Sequence, residues 1–403
     1  MAAPGAPAAA TAGGALSATP WVVSTYFAEG LPYVIAHKVA SEFFTAAGAD
    51  LIQIGYVSWF GLPWNLKFLW SPLVDVYSTA RRWVILMEIA LAVAVGALAL
   101  AADQGALALA AGGFALVAIL AATHDIAIDG FYLQALDRTR QTSLSGLRVA
   151  AYRGAMLAGG LLVALAGATS WRWSFASVGA ALALLAAVHA AILPRPRVAA
   201  AAPGGGARRL SLAAFTTYLA QPKIGAILAF IVLYRCGDAL MFAMSSPLLR
   251  SLDIETTARG FIASAGTGAS IAGSMLGGLV VARFGLRRTI FPIALLQSLA
   301  IPLYIVLAWL RPATPWAITL VMLEQLAAGI GTAVLTVFLM RRCSEEYKAS
   351  HFAIGTALMS VPVTFFGSVS GLLADRVGFT AFFAIAFASS IPGVILSRRV
   401  PVE

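Results

Sequence analysis

The sequence predicts an all-α membrane protein of twelve transmembrane helices arranged as two six-helix halves, and three observations predict it. Of 403 residues, 60% are hydrophobic and only 11% charged, where soluble domains carry about 25% charged residues. Apolar runs near 20 residues long recur along the whole chain, which is the length a helix needs to cross a bilayer. Because the runs are continuous and not alternating, helices are favoured over an outer-membrane barrel. Finally, the basic residues fall on alternate connections between the runs, as cytoplasmic loops require.

Residues 1–19 are rich in Ala, Pro and Gly and carry no charge. They lack the basic start of a signal peptide and are expected to form a disordered N-terminal tail. Apolar segments follow at roughly 20–40, 50–74, 83–102, 106–134, 144–168, 170–193, 222–249, 257–282, 288–309, 314–340, 349–374 and 377–397. Residues 194–221 form the longest polar connection, a Pro-, Gly- and Arg-containing cytoplasmic linker. It separates an N-terminal half at 20–193 from a C-terminal half at 222–397, with a cytoplasmic tail at 398–403.

One set of connections carries eighteen Lys and Arg residues, among them Arg81, Arg82, Arg138, Arg140, Arg148, Arg283, Arg287 and Arg288. The opposite set carries six: Lys38, Arg172, Arg250, Arg259, Arg311 and Arg376. This asymmetry predicts that both termini are cytoplasmic. It also accounts for the net charge of +10 without a nucleic-acid partner, because the bases are spread over short loops and not gathered on one patch. The two cysteines, Cys236 and Cys343, show no metal spacing, and neither a metal nor a cofactor is expected.

Polar residues inside apolar spans mark function, since a charged side chain at mid-bilayer costs about 2.5–3.5 kcal/mol even on the lenient insertion scale. Asp125 and Asp129 lie four apart in AATHDIAIDGFYLQAL, with His124 beside them and Tyr132 one turn on. The spacing puts both acids on one helical face, so this helix is expected to line a transport pathway. Tyr26, Glu29, Tyr33 and His37 form a second stripe, on the first segment. Lys67 with Trp64, Tyr152 with Arg153, Tyr234 with Arg235 and Asp238, and Glu324 with Gln325 add polar groups to the second, fifth, seventh and tenth. Each is also readable as an ion pair that fixes helix contacts, and this structural reading is the favoured one for Lys67, Glu88 and Asp75.

Six acids lie within spans (Glu29, Glu88, Asp125, Asp129, Asp238 and Glu324) against three bases (Lys67, Arg153 and Arg235). A desolvated carboxylate without a base takes up a proton, the requirement for proton coupling. Asp125 and Asp129 are the first candidates and Glu29 the next. The aromatics in register with these acids suit a substrate with polar groups and ring faces. A weak internal repeat pairs DVYSTARR at 75–82 with GLVVARFGLRR at 278–288, at corresponding places in the two halves.

The stretches KFLWSPLVD at 67–75, HDIAIDGF at 124–131, YRGAML at 152–157, VLYRCGDA at 232–239 and LEQLAAGIGT at 323–332 together resemble the muropeptide permeases and their relatives, the peptide/acetyl-coenzyme A/drug transporter family of the major facilitator superfamily. The second copy of the repeat is similar to that superfamily's cytoplasmic loop signature, with Ala282 in place of an acid. By that resemblance Asp75, Arg81, Arg82, Arg283, Gly285, Arg287 and Arg288 brace one conformation. The resemblance covers nearly the whole chain. It implies a proton-driven importer of a polar, medium-sized solute in the bacterial inner membrane, with anhydro-muropeptides, recycled from the cell wall, the expected substrate. Siderophores, acetyl- or acyl-coenzyme A and drug efflux are alternatives within the class, and a membrane enzyme or signalling receptor is an alternative outside it. The resemblance places Asp125, Asp129, Arg153, Arg235, Asp238 and Glu324 in or beside the pathway. The expected partners are protons, a small-molecule substrate and the lipid bilayer, with the chain a monomer.

Overall fold

The structure, a computed structural model, describes residues 13–71, 74, 78–102, 105–195, 215–344 and 348–402. Residues 1–12 of the expected tail, residues 196–214 of the expected linker, and Asp75 lie outside the described residues. The described chain is helical throughout, with no strand.

The first helix, α1, is already helical at Gly13. It runs through Gly13–Val34, a π-helical turn at Ile35–Val39, and Ala40–Ala46. Pro32 sits just before the π turn, and a proline inside a helix removes a donor and crowds the carbonyl four residues back. The widened turn contains His37 and Lys38, and turns of this kind often re-aim side chains at functional sites. Asp50 then starts α2 with a capping box: its carboxylate accepts from Gln53 N at 2.7 Å, and Gln53 Oε1 accepts from Asp50 N at 3.2 Å. This helix is broken. Leu51–Tyr56 passes into tighter turns at Val57–Gly61 and Lys67–Leu69, on either side of Leu62–Leu66, where Pro63 falls in the first turn.

The rest of the first half is α3 (Ala80–Ala101), α4 (Leu107–Ala135), α5 (Arg138–Ala168) and α6 (Trp171–Ile192). Thr79, Asp137 and Ser170 cap α3, α5 and α6 by accepting backbone N–H bonds. The second half comprises α7 (Ile224–Ser251), α8 (Thr256–Phe284), α9 (Leu286–Ala300 continued by Pro302–Leu310) and α10 (Thr314–Arg341). A last helical run, Lys348–Ser397, is divided into α11 and α12 at Gly378, whose φ of +75° breaks the helix. Gly285, at φ +79°, makes the tight corner between α8 and α9. Among the described residues, nine helical runs are long and apolar enough to cross a membrane. α1 and α2 are the interrupted ones, and the last of the nine spans the α11–α12 corner.

Between the halves, α5 packs on α8, α2 on α11, and the end of α1 on α7. Small residues let these backbones approach. A Cβ on Gly260 of α8 would sit 2.2 Å from Ala164 N and 2.6 Å from Gly160 O of α5, and one on Gly371 of α11 would sit 1.7 Å from Leu51 O of α2. These contacts join the C-terminal ends of α1, α5, α7 and α11 to the N-terminal ends of α2 and α8. That end of the molecule carries few bases, and it is closed.

Candidate functional site

The acids of α4 find partners on three other helices. Asp125 forms an ion pair with Lys67 Nζ of α2. Asp129, one turn further, accepts from Tyr26 Oη of α1 at 2.9 Å and lies 3.4 Å from Arg148 Nη1 of α5. Arg148 also donates to Tyr26 Oη at 2.8 Å, and its guanidinium lies over the rings of Tyr26 and Tyr132, 4.9 and 5.2 Å from their centroids. Glu29, three residues beyond Tyr26, is buried beside Asp125, and its Oε2 has no hydrogen-bond partner. Three carboxyls thus share two bases, and Glu29 is the one without a base of its own.

Arg148 was counted above among the bases of a connection, but it lies inside α5 (Arg138–Ala168), as it lies inside the apolar run at 144–168. Lys38 and Arg259 likewise lie within helices and reach across to the opposite half. Lys38 Nζ donates to Ala263 O at 2.9 Å and to Thr267 Oγ1 at 3.1 Å on α8. Arg259 Nε donates to Glu42 Oε2 of α1 at 2.8 Å, with 3% and 6% of these two side chains exposed. Arg259 also donates to Ile254 O and Thr256 Oγ1, so its charge is held by three acceptors. This pair caps the closed end.

Beneath it lies a cavity of about 280 Å³. Tyr33, His37 and Lys38 line it from the first half, and Arg235, Asp238, Glu324 and Gln325 from the second. The ring of Tyr33 stacks on His37 at 4.1 Å, Trp64 meets both edge-on at 5.1 and 4.9 Å, and Tyr152 lies 5.8 Å from Tyr33. One wall is therefore aromatic. The other is charged: Arg235 Nη1 lies 3.2 Å from Asp238 Oδ2, Gln297 donates to the same carboxylate, and Gln325 donates to Glu324 Oε2 at 2.9 Å. Glu324 is buried and has no base in contact. A second cavity, about 580 Å³, shares Tyr33, His37 and Val363 with the first. It passes Trp64, Lys67, Asp129 and Arg148 to reach Leu133 and Phe352 at the base-rich end. Asn65 of α2 and Thr364 of α11, joined at 2.9 Å, tie the two halves beside it.

Other candidates lie elsewhere. Tyr234 is buried with its hydroxyl donated to Gly331 O at 3.1 Å. Arg153 is half-buried on α5, lines neither cavity, and has no ion pair or hydrogen bond among the described residues. Tyr132 donates to Gln141 O. Near the base-rich end Arg81 donates to Ala190 O and Leu193 O at the end of α6, while Arg82, Arg283, Arg287 and Arg288 lie at the helix corners.

His124 does not face the pathway. It is fully buried, with Nε2 3.5 Å from Glu88 Oε1 of α3. The same carboxylate oxygen meets His189 Nδ1 of α6 at 2.6 Å, and His189 Nε2 meets Ser24 Oγ of α1 at 2.9 Å. Glu88 lies within α3, as the sequence expects of an acid inside a span. Its burial against two imidazoles explains how the bundle tolerates it. His189 was available in the sequence as a lone polar residue in an apolar run, but only the fold shows what it faces. His189→Leu removes the nearer of the two imidazoles from the buried carboxylate, at a cost on the order of 1–3 kcal/mol. Thermal unfolding in detergent should show a clearly lowered midpoint, largely recovered in Glu88→Leu/His189→Leu. An unchanged midpoint in the single variant would refute the pairing.

No protein-family model matches the chain. Over 383 residues, 92% of this chain and 77% of the relative, it is 27% identical to the anhydromuropeptide permease of Escherichia coli K12. Among solved structures, a D-xylose–proton symporter superposes with a TM-score of 0.71 at 12% identity, covering 95% of this chain and 96% of that one. A point mutant of the nucleoside transporter NupG superposes with a TM-score of 0.67 at 16% identity, covering 94% and 98%. The all-α membrane fold expected from sequence is thus the major facilitator fold of solved transporters. The resemblance to muropeptide permeases read from the motifs holds over most of the chain.

Proposed function

We propose that the chain is a proton-coupled importer of a polar, medium-sized solute across the bacterial inner membrane, working as a monomer with both termini in the cytoplasm. The observation that carries this reading is the pair of joined cavities between the halves, closed at one end by Glu42–Arg259 and reaching the other end past ionisable groups. The excess of bases at the open end supports a cytoplasmic assignment for it, and under that assignment the cavities face inward.

An anhydro-muropeptide is the proposed substrate. The permease likeness supports it, and so do the walls. Sugar rings pack on aromatic faces such as Tyr33 and Trp64, and the carboxylates and amines of a peptide pair with Arg235, Asp238 and Glu324. Proton coupling falls to the group of Glu29, Asp125 and Asp129. With Lys67 and Arg148 in contact, this group of three acids and two bases is one proton short of neutrality, and the second cavity, which Lys67, Asp129 and Arg148 line, gives that proton a route to the base-rich end. Glu324, without a base in the second half, is the further acid exposed to substrate.

The test is uptake of labelled anhydro-muropeptide into proteoliposomes with and without an inward proton gradient. The wild type should accumulate it in response to the gradient. Glu29→Gln and Asp129→Asn should lose that response, Glu29→Gln while still binding substrate. Uptake indifferent to the gradient in the wild type would remove the coupling role, and absence of uptake would withdraw the substrate.

A further inference from the structure

The two walls of the central cavity carry surplus charge of opposite sign. On the first-half wall the fixed cation is Lys38, placed there by the π-helical turn of α1. An ammonium has three donors. Lys38 uses two of them across the interface, on Ala263 O and Thr267 Oγ1 of α8. Both acceptors are neutral, so the charge itself is not compensated. Glu42, the acid one turn on, is taken by Arg259, and Lys38 forms no ion pair among the described residues. The second-half wall is the reverse. Arg235 faces Asp238, which leaves Glu324 as the surplus charge, with a hydrogen bond from the neutral Gln325 amide. Lys38 and Glu324 line the same space of about 280 Å³ without pairing with each other.

A charge inside a bundle is costly without an opposite one, and each wall here lacks the sign that the other holds. A ligand with a carboxylate at one end and an amine at the other supplies both. We infer that the cavity selects zwitterions, with a carboxylate of the ligand on Lys38 and its amine on Glu324. The inference rests on the importer reading above and deepens it. The sugar of the proposed substrate packs on the aromatic wall, and the two charges of its peptide decide whether a solute is accepted. A neutral solute that uses the aromatic wall alone leaves Lys38 and Glu324 uncompensated and is rejected. Charge-assisted hydrogen bonds at both ends also fix which way round the ligand lies between the halves.

Equilibrium binding to the full-length protein in detergent micelles tests this. The probes are labelled anhydro-muropeptide, the same compound amidated at its terminal carboxylate, and the same compound acetylated on its amine. A sugar-free tripeptide with free ends, and its amidated and acetylated forms, repeat the series. The wild type should bind each free form about 10–100-fold more tightly than either blocked form, the size of one hydrogen-bonded charge pair. This comparison needs no variant to fold. Lys38→Gln should lose the preference over the amide and keep that over the acetylated form, and Glu324→Gln should do the reverse. Lys38→Arg keeps the charge and should keep both preferences. Wild-type protein that binds free and blocked muropeptide alike overturns the inference and leaves the substrate in place. Loss of both preferences together in Lys38→Gln overturns it too, because a residue that only holds the fold does not tell one end of a ligand from the other. Binding of the tripeptide series with both preferences, but of no muropeptide, upholds the inference and withdraws the substrate. Failure of both series to bind overturns both.

Discussion

Arg259→Gln is expected to open the end that the structure shows closed. The substitution leaves Glu42 buried and without its guanidinium. Removing one partner of a buried pair costs on the order of 3–5 kcal/mol. That cost falls only on the state in which the two halves meet at this end, because in the opposite state Glu42 reaches water. A bias of this size shifts a two-state equilibrium by roughly 10²–10⁴-fold. Cysteine in place of Ser58, which lines a small cavity of about 80 Å³ beneath the pair, reports the change in a background lacking Cys236 and Cys343. An impermeant thiol reagent added from outside should spare this cysteine in otherwise wild-type protein and modify it rapidly in the Arg259→Gln variant. The exchanged pair Glu42→Arg/Arg259→Glu should recover protection. If the single variant stays protected, the glycine contacts at Gly260 and Gly371 close this end by themselves and the ion pair is incidental.

Lys67→Gln is expected to abolish gradient-driven uptake while sparing exchange. It leaves Glu29, Asp125 and Asp129 facing Arg148 alone. Neutrality of the group then takes two protons in place of one, which upsets the one-proton exchange on which gradient-driven uptake rests. Substrate counterflow, which moves no net proton, should continue. Lys67→Gln/Asp125→Asn removes one base and one acid together, restores the balance of one proton, and should recover a response to the gradient. Lys67→Arg keeps the charge and should recover it as well. Counterflow and gradient-driven uptake measured on the same vesicles decide the matter. Equal loss of both in Lys67→Gln would make Lys67 a substrate or structural residue, and failure of the double variant would reject the proton balance.

The helices were legible because a bilayer leaves the backbone no alternative to satisfying its own hydrogen bonds, so apolar runs and helices nearly coincide. The discrepancies are at their ends. Arg148, Lys38 and Arg259 were counted with the connections because each lies within about a turn of the end of its apolar run, where orientation is read, whereas the helices continue through all three. Three of the residues that build the site were misplaced for this one reason. The interruptions in α1 and α2 follow Pro32 and precede or include Pro63. Those prolines announced a bend, but the π-helical turn that aims His37 and Lys38 was not readable from them.

By itself the sequence determined the membrane setting and the faces on which Tyr26, Glu29, Asp125 and Asp129 lie, since hydropathy and the helical period act over a few neighbouring residues. Only the tertiary structure decided which acid has a base. Lys67 and Asp125 are 58 residues apart, Glu42 and Arg259 are 217 apart, and His189 and Glu88 are 101 apart. Such pairings depend on which helices lie side by side and how each is rotated, and no local pattern carries that. The count of acids against bases along the chain foretold that some carboxyls go without partners. It took the packing of α1, α2, α4 and α5 to make Glu29 the one among them, because a charge inside a bundle is defined by its neighbours across the helix interface and not by those along its own chain.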